Sequence, residues 1–214
     1  MTADIPAEHK LSFLEELHEQ RWDDHRYYHH SYINQSLHLV SALCFLTAYV
    51  AIWFNPIVAA TLGWICAMVS RQIGHFFFEP KSYDEINKAT HEHKEDIKVG
   101  YNLRRKVVLL TAWAATPFLL WWQPTMFGLF TPATDTYSFI YNLSWMWLIL
   151  GGIALVARTV HLMVVFNPQR GLVWFTKILT DPFHDVKIYH KAPLKLLQGE
   201  RLDPMTDWPS PKGR

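Results

Sequence analysis

The stretch LHLVSALCFLTAYVAIWFNPIVAATLGWICAMVSRQIGHFFF, residues 37–78, decides the fold. It holds two apolar blocks, about Leu37 to Phe54 and about Pro56 to Phe78. A bilayer core needs about 20 mostly apolar residues per crossing helix, and each block supplies roughly that length. Pro56 opens a helix well and the residue before a proline resists helix, so Asn55-Pro56 makes a tight turn and the blocks a helical hairpin. Two more blocks follow, about Val107 to Phe127 and about Phe139 to Phe166. The last contains Gly151-Gly152, which predicts close helix approach. A run from Gly171 to Leu179, after Asn167-Pro168, is too short to span and reads as an interfacial or re-entrant helix.

Composition agrees. The 214 residues fit one domain, and 50% are hydrophobic. A mean hydropathy of −0.01 hides a segregation of apolar blocks from stretches dense in charge. Ten Trp, nine Tyr and thirteen Phe exclude disorder over most of the chain. The two cysteines, Cys44 and Cys66, fall in apolar blocks and exclude a disulfide scaffold. A net charge of +1 argues against a nucleic-acid partner. Soluble helices carry a polar stripe, and blocks one, three and four are apolar nearly all round. The fold class expected is all-α, a polytopic membrane protein with about four transmembrane helices.

Lys and Arg set the orientation. They are absent from the Asn55 turn and from Trp121 to Ser138. They concentrate between Glu79 and Lys106, after Phe166, and at Lys10, Arg21 and Arg26. The positive-inside rule then puts arm, middle loop and tail in the cytoplasm. The expected organisation is a cytoplasmic amphipathic arm at 1–36, a four-span membrane domain at 37–180 with a cytoplasmic loop at 79–106, and a cytoplasmic tail at 181–214. The arm reads as a helix from His9 to Tyr32, with a ridge of Leu11, Leu14 and Leu17. The end of the tail, Asp207 to Arg214, is Pro-rich and reads as loose. The first 36 residues are polar, with no cleavable signal peptide visible. The expected location is an integral, multi-pass position in an endoplasmic reticulum or bacterial inner membrane.

Twelve histidines are over twice the number expected at an everyday abundance of roughly 2%. In this topology all lie on the cytoplasmic side or at its membrane boundary. His30, Asn34 and His38 stand four apart on one helix face, with His25 and His29 on a neighbouring face. Arg71, His75 and Glu79 share a face at the foot of the second block, and Arg158 and His161 stand three apart on the fourth. Ionisable groups inside spans are costly and face the bundle interior, a partner or water. Imidazoles and a carboxylate converging at one depth suit a transition metal. Plainer explanations cover the rest. His9 and His18 read as solvated, and His91 and His93 sit in a mixed charge run. His184 and His190, six apart, share no helix face. Arg71 and Arg158 could snorkel or pair with Glu79 or lipid phosphate. The Trp-rich segments read as interfacial belts.

At these residues the chain resembles a family of small multi-spanning membrane proteins, typified by the yeast 2-hydroxy-fatty-acid dioxygenase of phytosphingosine breakdown. One signature, His-Asn-His, reads here His29-His30-Ser31-Tyr32-Ile33-Asn34-Gln35-Ser36-Leu37-His38. The other, Gln-x-x-Gly-His followed by Glu, reads Gln72-Ile73-Gly74-His75-Phe76-Phe77-Phe78-Glu79. The match covers about Tyr27 to Pro80. Val40-Ser41-Ala42 and Pro80-Lys81-Ser82-Tyr83 depart from the family pattern. The charged insert Lys81 to Lys106 and the tail Thr180 to His190 have no counterpart in it. The resemblance implies an Fe(II) enzyme that uses dioxygen at the cytoplasmic membrane face to shorten a 2-hydroxy fatty acid by one carbon. It implies His29 or His30, His38 and His75 as ligands, with Glu79 and His161 as further ligands or as orienters of imidazole. Asn34 would support the site or bind substrate, and Arg71 or Arg158 would hold the substrate carboxylate as a fork. The expected partners are a lipid or fatty acid, dioxygen and the membrane, with self-association left open.

Two alternatives remain at this stage. His25-Arg26-Tyr27-Tyr28-His29-His30 faintly resembles the His boxes of di-iron membrane hydroxylases and desaturases, which His91, His93, His184 and His190 could complete. A non-enzymatic membrane scaffold or assembly subunit would instead bind no metal.

Overall fold

The computed structural model describes residues 11–79, 82–84, 87–99 and 103–205. His9, Pro80, Lys81 and the Pro-rich end from Asp207 to Arg214 lie outside the described residues. The described chain is helical throughout, with two isolated bridge pairs, Ser31 with Leu202 and Asp84 with Ala89, and no strand among the described residues.

Local chemistry sets the helix starts. Helix α1, Phe13–Tyr28, opens with a capping box: Ser12 Oγ accepts from the Glu15 amide at 3.4 Å, and Glu15 Oε2 accepts from the Ser12 amide at 2.8 Å. Helix α2, Tyr32–Ala51, is capped by Ser31. Asn55 caps α3, Pro56–Phe78, by accepting from the amides of Ile57 and Val58, with Pro56 in the first turn as expected. Short helix α4 covers His91–Ile97 and α5 covers Leu103–Trp122. Helix α6, Thr136–Val165, opens on an Asp135–Ser138 capping box. Helix α7, Pro168–Tyr189, is capped by Asn167, and a short α8, Ala192–Leu197, ends the series.

Three of these, α2, α3 and α6, are long and apolar enough to cross a membrane. Their burial is the inverse of a soluble bundle's. Val50, Val156 and Val164 are exposed, whereas Asn34, His38, Ser41, Ser144 and Thr159 are buried. Lipid as the outer solvent accounts for that inversion, because apolar side chains lose nothing by facing it and polar ones must be satisfied inside. The third expected block is shorter as a helix. Helix α5 stops at Trp122, and the chain turns through Gln123 to Phe130, with Met126 and Phe127 at positive φ.

Three expectations change in the folded chain. The short run Gly171 to Leu179 belongs to the 22-residue helix α7, so a boundary at 180/181 cuts a continuous helix. The Gly151-Gly152 pair makes no close helix approach. A Cβ at Gly152 would meet nothing within 4 Å, and one at Gly151 would meet only Trp64 at ordinary distance. Gly171 is the close approach instead, since a Cβ there would fall 2.7 Å from the Thr159 carbonyl oxygen. The tryptophans are not all interfacial. Trp53, Trp121 and Trp122 are exposed, but Trp64, Trp113 and Trp147 meet inside the bundle. Trp64 stacks on Trp113 at 5.8 Å and donates to the Trp147 carbonyl at 2.8 Å, and Trp147 donates to Thr116 Oγ1 at 2.7 Å. These bonds pin α3, α5 and α6 together.

Helix α2 packs against α3 and α7, and α6 packs against the same two. Together with α1 and α5, the four line a cavity of about 410 Å³. Helix α1 lies along α7, held by Arg21 to Asp181 at 3.2 Å and by Lys177, which bonds Asp24 and Asp181.

Candidate metal centre

His29 caps the end of α1, His38 sits nearly two turns inside α2, and His75 is near the end of α3. These three bring one ligand nitrogen each to within 4.8 Å of one another. Ring centroids are 4.0 Å apart for His29 and His38, 5.0 Å for His38 and His75, and 5.4 Å for His29 and His75. Two backbone features make the meeting possible. The three-residue link between α1 and α2 turns the chain so that His29 faces His38. In α3 a wide turn over Gly74–Phe78 carries His75, and such turns recur at functional sites. Gly74 lets α3 close on α2, since a Cβ there would sit 2.1 Å from Asn34 Oδ1 and 3.7 Å from His38 Cδ2.

Each imidazole has a polar neighbour on its outer side. His75 Nδ1 lies 2.8 Å from Glu79 Oε2, and His29 Nδ1 lies 2.7 Å from the Tyr189 hydroxyl. Those contacts leave the Nε2 atoms of His29 and His75 for a shared ligand. Asp185 Oδ2 stands 3.8 Å from His38 Nδ1 and binds Arg71 Nη2 at 2.6 Å. Tyr189 also reaches His25 Nδ1, at 3.1 Å. A carboxylate or hydroxyl behind a ligating imidazole fixes its tautomer and orientation.

The residues fit a metal ion. His29 Nε2 and both nitrogens of His38 are buried without a hydrogen-bond partner among the described residues. An orphaned buried polar atom costs about 1–3 kcal/mol, and a cation at the shared point removes that cost for one nitrogen of each ring. Protonation is also disfavoured. Burial holds His29 well below the usual imidazole range, and His38, His25 and Arg71 push the same way. It is therefore neutral at pH 7, the form that binds metal. Burial lifts the Tyr189 hydroxyl well above its ordinary range, so it stays protonated.

The other expected residues take separate places. Of the adjacent pair, His29 joins the triad and His30 does not. His30 Nε2 bonds the Arg26 carbonyl and lies 3.6 Å from Asp84, where it helps hold the 82–99 segment over α1. Asn34 is fully buried and donates to the Tyr28 carbonyl at 2.8 Å, tying α2 to the end of α1. Glu79 stands behind His75 and not in the triad, 3.8 Å from Lys98. Arg71 lines the cavity beside the triad. Arg158 and His161 bond each other at 2.6 Å, and Arg158 also donates to the Val99 carbonyl, so this pair ties α6 to the 82–99 segment and does not line the cavity. His91 and His93 neither join the triad nor line the cavity. His190 is exposed against the Lys187 carbonyl, while His184 is a lining residue.

Asp185 and Tyr189 are the site residues the sequence reading missed. Their signal is the polar face Lys177, Asp181, Asp185, Tyr189, repeating every four residues along α7. Splitting α7 into a short apolar run and a tail hides that period.

Comparison of the chain with protein-family models, with curated proteins and with solved structures finds no match. The functional reading rests on the site itself.

Proposed function

We propose that the chain is an integral membrane, Fe(II)-dependent oxygenase that shortens a 2-hydroxy fatty acid by one carbon with dioxygen. The observation that carries this reading is three imidazoles converging on one point, two of them with orphaned buried nitrogens, in an otherwise apolar cavity. In this reading α5 is a fourth span, and arm, middle segment and C-terminal region share the cytoplasmic face, where Lys and Arg concentrate.

The overall reaction balances without an external reductant. A 2-hydroxy acid and one dioxygen give the acid one carbon shorter, carbon dioxide and water, and the substrate's two terminal carbons supply all four electrons. Bound Fe(II) would supply open positions for dioxygen and for the hydroxyl and carboxylate of the acid. The chain's own residues do the rest. Glu79 and Tyr189 hold His75 and His29 in the ligating tautomer. Asp185 steers the Arg71 guanidinium, whose Nε has no hydrogen-bond partner among the described residues, as a fork for the substrate carboxylate. The apolar walls keep water from the acyl chain.

One cluster of three histidines among the described residues favours a single ion over a di-iron site. The test is metal analysis of the detergent-purified protein after anaerobic loading with Fe(II), paired with product analysis on a 2-hydroxy acid. One iron per chain, lost in His38→Ala and His75→Ala, with release of the shortened acid, is expected. No retained iron, or zinc retained in its place, would refute the oxygenase reading.

A further inference from the structure

Two of the three imidazoles sit within helices, and the third does not. His38 lies in α2 and His75 in α3, whereas His29 is the C-cap of α1, with φ −118° and ψ 35° outside the helical range. A ligand carried on a connection is held less precisely than one on a helix, so its backbone must be fixed from outside. Carbonyls at a helix end also lack partners within the helix. Here Asn34 Nδ2 donates to the Tyr28 carbonyl at 2.8 Å, Gln35 Nε2 to the His29 carbonyl at 2.9 Å, and the Asp203 amide to the His30 carbonyl at 2.8 Å. Three successive carbonyls around the metal-facing residue are each held by a donor from another part of the chain.

Two of those three contacts involve the C-terminal segment 200–205. Gly199, at φ +86°, follows α8 and turns the chain back, a conformation that favours glycine. The returning strap lies across the link between α1 and α2. Ser31 and Leu202 form an antiparallel bridge, and the Tyr32 amide, orphaned at the start of α2, donates to the Arg201 carbonyl at 3.0 Å. Asp203 then acts twice. Its amide holds the His30 carbonyl, and its Oδ2 accepts from Gln35 Nε2 at 2.7 Å. Its Oδ1 accepts from the Met205 amide at 2.9 Å, which fixes the carboxylate. Gln35 is 2% exposed, so Asp203 orients the same amide nitrogen that holds the His29 carbonyl.

From these contacts we propose that the strap 200–205 is a latch on the metal centre. Docked, it holds His29 in the ligating position through Gln35 and Asp203. Released, it frees the His29 backbone and lowers metal affinity. Gln35 and Asp203 are positioning residues, since both act through the backbone of His29 and His30. The proposal rests on the triad binding a metal ion and not on the oxygen chemistry. Glu200, Arg201, Leu202 and Pro204 are exposed, so the strap is held by a few hydrogen bonds and opens locally at lower cost than the helices beneath it. Docking and metal binding are then linked: the factor that docking adds to metal affinity is the factor that bound metal adds to docking.

The experiment uses the full-length, detergent-purified protein and Co(II), whose visible bands report its ligands. Affinity is measured by competition with a chelator, and melting is recorded on the same samples. Asp203→Ala should weaken Co(II) binding about tenfold or more and shift the visible bands, as the hold on one imidazole loosens. Asp203→Asn keeps an acceptor for Gln35 and should recover most of that loss. A strap with a merely structural role would lower the melting temperature and leave affinity and bands unmoved. The reciprocal arm needs no variant and serves if Asp203→Ala does not fold. Saturating Co(II) should slow tryptic cleavage after Arg201 in the unaltered protein by about the same factor. Unchanged affinity and bands in a folded Asp203→Ala, or cleavage after Arg201 at one rate with and without Co(II), would overturn the latch and leave the metal centre standing. No Co(II) bound by the unaltered protein would overturn the metal centre and the latch with it.

Discussion

Tyr189→Phe is the most informative single change, because it removes one oxygen atom and almost no volume. The ring is 1% exposed, stands edge-on to His29 and stacks on His25. Those contacts survive in phenylalanine. What is lost is the hydroxyl, 2.7 Å from His29 Nδ1 and 3.1 Å from His25 Nδ1. Leaving His29 Nδ1 buried and unsatisfied costs about 1–3 kcal/mol. Without that hydroxyl the two ring tautomers of His29 become closer in energy, and Nε2 carries the proton part of the time. Loss of such a supporting contact lowers metal affinity by about 10–100-fold. Competition against a chelator of known affinity measures this loss, with a thermal melt of the same sample in detergent. The expected result is weaker metal binding in a protein that melts a few degrees lower, against complete loss of metal in His29→Ala. Unchanged affinity in the folded variant would refute the view that Tyr189 sets the His29 tautomer.

Glu79→Gln keeps an acceptor for His75 Nδ1 and removes its charge. Metal affinity should drop about tenfold with little change in melting, and an equal affinity would show that the Glu79 charge does not act on His75. In Gly74→Ala the new Cβ would press on Asn34, which is fully buried and tethered to the Tyr28 carbonyl, so α2 and α3 must part. A loss of about 1–3 kcal/mol and weaker metal binding are expected, and a variant unchanged in both would refute the close-approach role. Acid should destabilise the fold through His25 and His184. Burial lowers both to about 4, against 6.5 in the unfolded chain, so the unfolded state binds more protons below that value. Their contribution is complete above pH 6.5 and is lost as pH falls toward 4, by up to about 1.4 kcal/mol per pH unit for buried His25 and by less for part-exposed, solvent-screened His184. Melting temperatures between those limits should fall, less steeply in His184→Gln, and a flat profile would contradict the buried, neutral state of both.

Much of this architecture is legible in the linear chain, for a physical reason. Apolar runs of spanning length and their Asn, Ser and Asp caps are local properties, so the hairpin at Asn55-Pro56 and the start of each long helix follow from neighbours in sequence. Four-residue spacing likewise puts His75 over Glu79 on one helix, where they meet at 2.8 Å. Choices between distant residues are not local. Whether His29 or His30 faces the triad depends on the turn of three residues between α1 and α2. Whether Arg71 or Arg158 reaches the cavity depends on distant partners: Asp185 holds Arg71 there, whereas His161 and the Val99 carbonyl hold Arg158 elsewhere. Tyr189 and Asp185, some 150 residues from the histidines they support, enter the site because α7 folds back across α2. Gly151 and Gly152, read in sequence as a point of close helix approach, make none, because the bulky Trp64 indole of α3 faces Gly151 and nothing lies within 4 Å of a Cβ at Gly152. Sequence alone placed the long apolar helices and histidines on faces that can hold a metal ion. Only the tertiary structure decided which three of those imidazoles share a point, because that depends on helix packing across the whole chain.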